Sequence, residues 1–173
     1  EPMFGGVGGE VYYRPFDSNF SVGLSAYKVK QREYKQRFGF RKYKTEVGHL
    51  GLYYDFPQGV ILNLQTGKYL AGDKGATLDL SRRFKTGFTL GVFASKTNLS
   101  AEEFGEGSFD KGFYFAIPTD LFYTNHGKGF ISFGLKPLTK DGAATLQLQN
   151  TLYGMFGDTS KSSLVRDWGD FLE

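Results

Sequence analysis

Apolar and small polar residues alternate along several segments of this chain. Residues 76–81 (ATLDLS) place Ala and two Leu on one side and Thr, Asp and Ser on the other, and residues 88–95 and 144–149 repeat the pattern. Because successive side chains of a β-strand point to opposite faces, each segment predicts a two-faced strand. The second face is mostly Gly, Ser, Thr, Asn and Gln, which is typical of a crowded, wet interior. We therefore expect the apolar face to lie outside, against lipid.

Turn signals separate nine such segments, with little predicted helix between them. Short connections alternate with longer or more charged ones, which is typical of outer-membrane barrels. The predicted strands cover residues 6–14, 20–30, 43–56, 60–70, 76–84, 88–97, 112–122, 130–136 and 143–153.

The expected fold is all-β. Residues 1–153 are predicted to form an up-and-down antiparallel transmembrane-type β-barrel of about 8–10 strands, or part of a larger barrel. The order of short and long connections also predicts an earlier strand upstream of residue 1. Residues 154–173 are predicted to form a tail with a short amphipathic helix, which begins near Asp158 and carries Trp168 on its apolar face. This helix would cap or plug the barrel, or dock a partner.

Composition narrows the function classes. The net charge is +3, with 21 Lys and Arg against 18 Asp and Glu, which is too balanced to predict a nucleic-acid partner. The content of 24 Gly and 17% aromatic residues fits closely packed strands with aromatic girdles. Residues 1–9 lack the features of a signal peptide, so we expect it to have been removed or the chain to be cut from a longer protein.

Motifs for catalysis and metal binding are missing from the sequence. The absence of Cys excludes disulfides and Cys-ligated zinc, and His49 and His126 have no spacing typical of a metal site. The glycines at 5–9 and 72–75 do not form a dinucleotide- or phosphate-binding loop. We therefore predict a protein that is not an enzyme and has no cofactor. An acidic cluster is expected to lie in a solvated loop: Glu102, Glu103, Glu106 and Asp110.

Two sets of residues are candidate contacts for a ligand. Polar side chains on the predicted inner face are placed to meet sugar hydroxyls: Asn63, Gln65, Asp79, Gln147 and Gln149. A second set lies in a basic and aromatic segment: Arg37, Arg41 and Tyr43. Such a segment can hold anionic polysaccharide, lipopolysaccharide or nucleic acid, since Arg pairs with carboxylate or phosphate and aromatic faces stack on sugar rings. The alternative is an aromatic girdle that contacts lipid headgroups.

Longer runs of the sequence carry a family resemblance. These runs are residues 1–10 (EPMFGGVGGE), 13–22 (YRPFDSNFSV), 37–43 (RFGFRKY), 67–81 (GKYLAGDKGATLDLS), 100–112 (SAEEFGEGSFDKG) and 136–142 (KPLTKDG). Together they resemble the C-terminal part of the YjbH family, which are bacterial outer-membrane proteins associated with exopolysaccharide biosynthesis and capsule. The resemblance implies an outer-membrane β-barrel encoded with polysaccharide secretion machinery, and it implies no catalytic residues.

Together, the residues and the resemblance predict an outer-membrane barrel component that assists exopolysaccharide or capsule assembly or export. Its expected partners are membrane lipid, exopolysaccharide and other secretion-system proteins, with no nucleic acid. The alternative is a soluble β-barrel or sandwich that binds carbohydrate or lipid and uses the apolar face as its core. Inward-pointing Leu78, Leu90 and Leu146 would favour that alternative.

Overall fold

The structure is a computed structural model. It describes residues 3–35, 37, 39–100, 109–119, 122, 129–136, 142–148, 150–157, 161 and 168. Its elements are the strands β1 (Phe4–Tyr13), β2 (Phe20–Arg32), β3 (Phe40–Asp55), β4 (Val60–Lys68), β5 (Lys74–Arg83), β6 (Thr89–Thr97), β7 (Asp110–Pro118) and β8 (Phe130–Leu135), and the helix α1 (Leu152–Gly157).

The strands form one 8-stranded sheet in which each strand pairs with the next along the chain. All of these pairings are antiparallel, so the predicted all-β, up-and-down topology is confirmed. Among the described residues no ladder joins β1 to β8, and the sheet is open rather than closed into a barrel. Phe4 of β1 and Tyr114 of β7 nevertheless line the same cleft. Strands so far apart in the sheet share a cleft only if the sheet curves.

Tight turns join the strands at one end of the sheet, where the sequence predicts them. Gly59 and Gly87 have φ angles of 74° and 77°, a region that glycine adopts without the steric cost of a Cβ. Their N–H groups donate to the carbonyl oxygens of Phe56 and Phe84 at 3.1 and 2.9 Å. At the same end, β7 stops at Pro118, since proline has no N–H with which to continue the ladder.

The predicted ninth strand is wrong. Residues 144–148 have no regular secondary structure, and the chain becomes helical at Leu152. The loop that follows β4 holds this segment instead: Leu70 N–H donates to Ala144 O at 2.9 Å, and Ala143 N–H donates to Asp73 Oδ2 at 3.0 Å. The alternating residues 142–148 therefore cross one face of the sheet, which we call the inner face, and do not extend its edge.

Helix α1 begins earlier than the predicted tail helix. Its first residue, Leu152, donates its N–H to Glu10 Oε2 at 2.6 Å, which ties the helix to β1. Residues 158–160, 162–167 and 169–173 are outside the described residues. The amphipathic helix expected from Asp158 onward, and the domain boundary at residue 154, remain predictions.

A small apolar core lies between the inner face and the crossing segment. Val29 of β2, Val47 of β3 and Leu70 form its buried centre. Leu146 packs against this centre, so one of the three leucines that discriminate between the two architectures does point inward. It does so because residues 142–148 are not part of the sheet.

Candidate functional site

The two faces of the sheet have opposite chemistry, and the apolar face is the outer one. On β5 and β6, Leu78, Leu90 and Val92 are 46%, 44% and 51% exposed. On the inner face, Ser21 and Ser95 are 2% and 4% exposed. A water-soluble sheet that buries one face turns its polar side outward, so this sheet has the reverse arrangement.

Apolar residues continue across the outer face from strand to strand. The register aligns a single row that crosses seven strands: Phe20, Tyr54, Leu62, Leu80, Val92, Phe113 and Leu135. An exposed apolar area of this extent marks a surface that is covered by a partner or by lipid.

The inner face and the crossing segment enclose an open cleft of about 1060 Å³. Four of the five predicted inner-face residues line it: Asn63, Gln65, Asp79 and Gln147. The fifth, Gln149, is outside the described residues. Within the described part of the chain, the buried Oδ1 of Asn63 has no hydrogen-bond partner, so a carbohydrate hydroxyl in the cleft could donate to it.

Side-chain hydroxyls make two separate sets of hydrogen bonds on the inner face. Thr77 Oγ1 lies 2.6 Å from Tyr69 Oη and donates to Ser95 Oγ at 2.8 Å. Tyr114 donates its hydroxyl to Asp79 Oδ1 at 3.1 Å, and its ring lies directly over Gly91, where a Cβ would overlap it. The absence of a side chain at Gly91 thus makes space for the ring of Tyr114 on the inner face.

Stacked aromatic rings lie at α1, where Tyr153 lines the cleft, and the sequence analysis did not predict them. The rings of Tyr153 and Tyr53 stack with 3.9 Å between centroids, and Tyr12 stacks on Phe156 at 6.1 Å. Burial raises the pKa of Tyr153, and the negative charge of Asp55 adds to the shift. This cluster was missed because residues 143–153 were assigned to a strand, which hides the helical spacing of Tyr153 and Phe156.

The basic and aromatic set is divided between two environments. Arg41 packs on the ring of Tyr34 at 4.6 Å and donates to its hydroxyl at 2.8 Å. Tyr43 lines the cleft and donates its hydroxyl to Leu70 O. Arg37 is exposed in the connection between β2 and β3. Tyr43 therefore belongs to the inner face, and Arg41 interacts with an aromatic ring of the connection.

The remaining candidates give no metal site. The described residues contain no group of three or more His, Asp or Glu side chains that could hold a metal ion. Asp110 is only 5% exposed at the start of β7, so its predicted placement in a solvated loop is wrong. Glu102, Glu103, Glu106 and His126 are outside the described residues. His49 packs edge-on against Tyr69 at 4.8 Å, in the interior of the sheet.

The fold and the site define a class: an up-and-down antiparallel sheet with an apolar outside and a polar inner cleft. The chain belongs to the YjbH family, because residues 1–158 match the family described as "Exopolysaccharide biosynthesis protein YbjH". It is 45% identical over 165 residues to lipoprotein YjbH of Escherichia coli (strain K12). The match covers 92% of this chain and 24% of that relative, so the chain spans about a quarter of the relative's length. The family resemblance is thereby confirmed.

No solved structure matches the chain. None of the helices in the described ranges is long and apolar enough to cross a membrane.

Proposed function

We propose that this chain is part of an outer-membrane β-barrel that assists assembly or export of an exopolysaccharide or capsule, without catalysing a reaction. The observation that carries the proposal is the reversed polarity of the sheet. Exposed apolar side chains such as Leu78 and Val92 cover the outer face, while serines such as Ser95 are buried on the inner face. Lipid is the solvent that stabilises this arrangement.

Family membership supports the link to exopolysaccharide biosynthesis. The description of the Escherichia coli relative as a lipoprotein supports a membrane-associated location in the cell envelope. We infer the outer membrane in particular, because β-barrels with this polarity are the strand-built structures that span it.

Further strands are needed to close the proposed barrel. Within the described residues, β1 and β8 each have an outer edge with no neighbouring strand, and a backbone N–H or C=O group without a partner costs several kcal/mol in lipid. The relative is about four times as long as the matched segment, which leaves ample sequence for those strands.

The cleft is suited to neutral sugar chains rather than to nucleic acid. Asn63, Gln65 and Gln147 offer amide groups that can donate to and accept from hydroxyls. Asp79, Asp110 and Lys136 also line the cleft, so it has no excess of positive charge that would attract phosphate. We therefore propose exopolysaccharide, membrane lipid and other secretion-system proteins as partners, with no role for nucleic acid.

The soluble alternative finds little support. It requires Leu78, Leu90 and Leu146 in an apolar core, and only Leu146 packs inward. The other two leucines are exposed on the outer face, where a water-soluble protein would carry polar residues.

Membrane fractionation of the full-length protein tests the proposal. We expect it in the outer-membrane fraction, with a gel mobility that shifts on heating as a barrel unfolds. Recovery in the soluble periplasmic fraction without heat-modifiable mobility would contradict the membrane proposal.

The export role is tested with the double variant Gln65→Ala/Gln147→Ala. Loss of about 1 kcal/mol per hydrogen bond predicts a several-fold lower yield of secreted polymer at equal protein level. The matched control is Leu64→Ile on the outer face, which should secrete as the wild type does. Unchanged secretion by the double variant would contradict a role of the cleft in export.

A further inference from the structure

Lysine side chains form a row along one end of the outer face. Lys28 and Lys30 lie at the end of β2, and Lys44 lies opposite Lys30 on β3. Lys68 and Lys74 pair across β4 and β5, Lys96 pairs with Ala76, and Lys111 pairs with Ala94. We call this set the lysine belt: Lys28, Lys30, Lys44, Lys68, Lys74, Lys96 and Lys111.

The belt shares its face with the apolar residues. Lys96 lies four residues after Val92, and Lys74 lies four residues before Leu78. An even separation along a strand places two side chains on the same face. The ammonium groups therefore border the apolar surface directly.

The carboxylates at this end of the sheet lie mostly on the inner side. Asp73 and Asp110 are 3% and 5% exposed, and Asp110 lines the inner cleft. Glu46 is the one carboxylate on the outer face of the described strands, and it pairs with Lys28 at 3.0 Å. The outer face at this end thus has a strong excess of positive charge.

The opposite end of the outer face carries a group of aromatic residues. Phe88 lies 6.3 Å from Phe115, and Phe115 lies 5.3 Å from Phe133, between ring centroids. Arg82 lies over the ring of Phe84 at 4.8 Å. The eight residue steps from Lys74 to Arg82 span about 27 Å of strand. A strand tilt of about 40° reduces this to roughly 20 Å, close to the apolar band of about 25 Å in outer-membrane barrels.

We propose that the lysine belt binds the phosphate groups of lipopolysaccharide in the outer leaflet. This inference rests on the proposed outer-membrane barrel and adds its orientation, with the belt end facing the outside. Lysine stems pack along apolar surface while the ammonium groups reach the headgroup level, where phosphates give a complementary charge. The connections at the belt end are residues 33–39, 69–73 and 98–109, and those at the other end are residues 14–19, 56–59, 84–88 and 119–129, so the belt end has the longer connections on average. Longer connections are the extracellular ones in such barrels.

The test uses the full-length protein in a neutral detergent, titrated with diphosphoryl lipid A, with dephosphorylated lipid A and with phosphatidylglycerol. The wild type should bind diphosphoryl lipid A more tightly than the other two. The variant Lys74→Gln/Lys96→Gln should lose about fivefold in affinity for each lysine removed. The matched control Arg82→Gln/Lys85→Gln removes two charges at the opposite end and should bind as the wild type does.

Three results would overturn the proposal. They are equal affinity of the wild type for phosphorylated and dephosphorylated lipid A, equal affinity for phosphatidylglycerol, and an equal loss in the control variant. Heat-modifiable mobility is measured on every sample, because it reports the barrel independently of the belt. A heat-modifiable protein that ignores phosphate contradicts the belt alone, whereas a protein without heat-modifiable mobility contradicts the proposed function.

Discussion

The ring of Tyr153 in α1 stacks on the ring of Tyr53 in β3, with 3.9 Å between centroids and 12° between planes. Tyr12 of β1 meets both rings edge-on at 6.0 and 6.2 Å. This contact anchors α1 on the inner face of the sheet. It joins two residues, Tyr53 and Tyr153, that are far apart in sequence. Helix α1 is thereby packed against β1 and β3.

Replacing Tyr153 should release the helix. In Tyr153→Ala the helix loses both the buried ring and its stacking partner, and we expect the free energy of unfolding in detergent to fall by about 3 kcal/mol. Tyr153→Phe keeps the ring and serves as the matched control. Limited proteolysis provides a second readout, since segment 142–157 should be cleaved faster in Tyr153→Ala. Equal cleavage of the two variants would contradict the anchoring role.

High pH should weaken the same contact. The pKa of Tyr153 is raised above its ordinary value of 10.0, so the folded protein holds this proton more tightly than the unfolded chain does. The contribution to stability is complete below pH 10 and falls as the pH rises above it. Tyr153→Phe should therefore lose less stability between pH 9 and pH 11 than the wild type in urea titrations. Part of the loss should remain, because burial also raises the pKa of Tyr69.

A charge on the outer face should prevent assembly. Leu78→Arg places a guanidinium in the apolar band, and in lipid this costs about 2–4 kcal/mol. The measurement is the fraction of full-length protein with heat-modifiable mobility in isolated outer membranes. Gln65→Arg is the control, because it adds the same charge to the inner cleft and should assemble. If Leu78→Arg assembles as well as the wild type, the outer face is in water and the soluble alternative gains support.

Glycine at position 143 should stabilise the protein. Ala143 has a φ of 55°, a conformation in which its Cβ crowds the following carbonyl. Ala143→Gly removes that clash and should raise the free energy of unfolding by up to about 1 kcal/mol. The matched change Gly72→Ala, at a φ of 88°, should lower it by about the same amount. Thermal unfolding of both variants in one detergent checks the opposite signs.

Local pattern was sufficient for the sheet and for the direction of its faces. The alternation around Leu78 and Leu90 predicts both strands and outward leucines, because period-two alternation and face chemistry are properties of neighbouring residues. The turns at Gly59 and Gly87 followed from local residues as well. In the same way, Asn63, Gln65 and Asp79 were placed on the inner face by parity alone.

Local pattern gave the wrong structure for residues 143–153, which were predicted to form a ninth strand. The alternation from residue 144 onward is as regular as that of β5, yet residues 142–148 cross the inner face and helix α1 follows at Leu152. The outcome depends on distant groups: Asp73 Oδ2 accepts the N–H of Ala143, and Glu10 Oε2 accepts the N–H of Leu152. The alternation is compatible both with a strand paired to β8 and with a segment that crosses the sheet, and only tertiary contacts select between them.

The sequence by itself determined a sheet of alternating strands with an apolar outer face and a small, polar inner face, because these features depend on residues that are two positions apart. Only the tertiary structure decided that the lysines form one belt, that Tyr43 and Gln147 share a cleft, and that Tyr153 stacks on Tyr53. Those relationships depend on strand register and on contacts between distant segments, which a one-dimensional pattern does not encode.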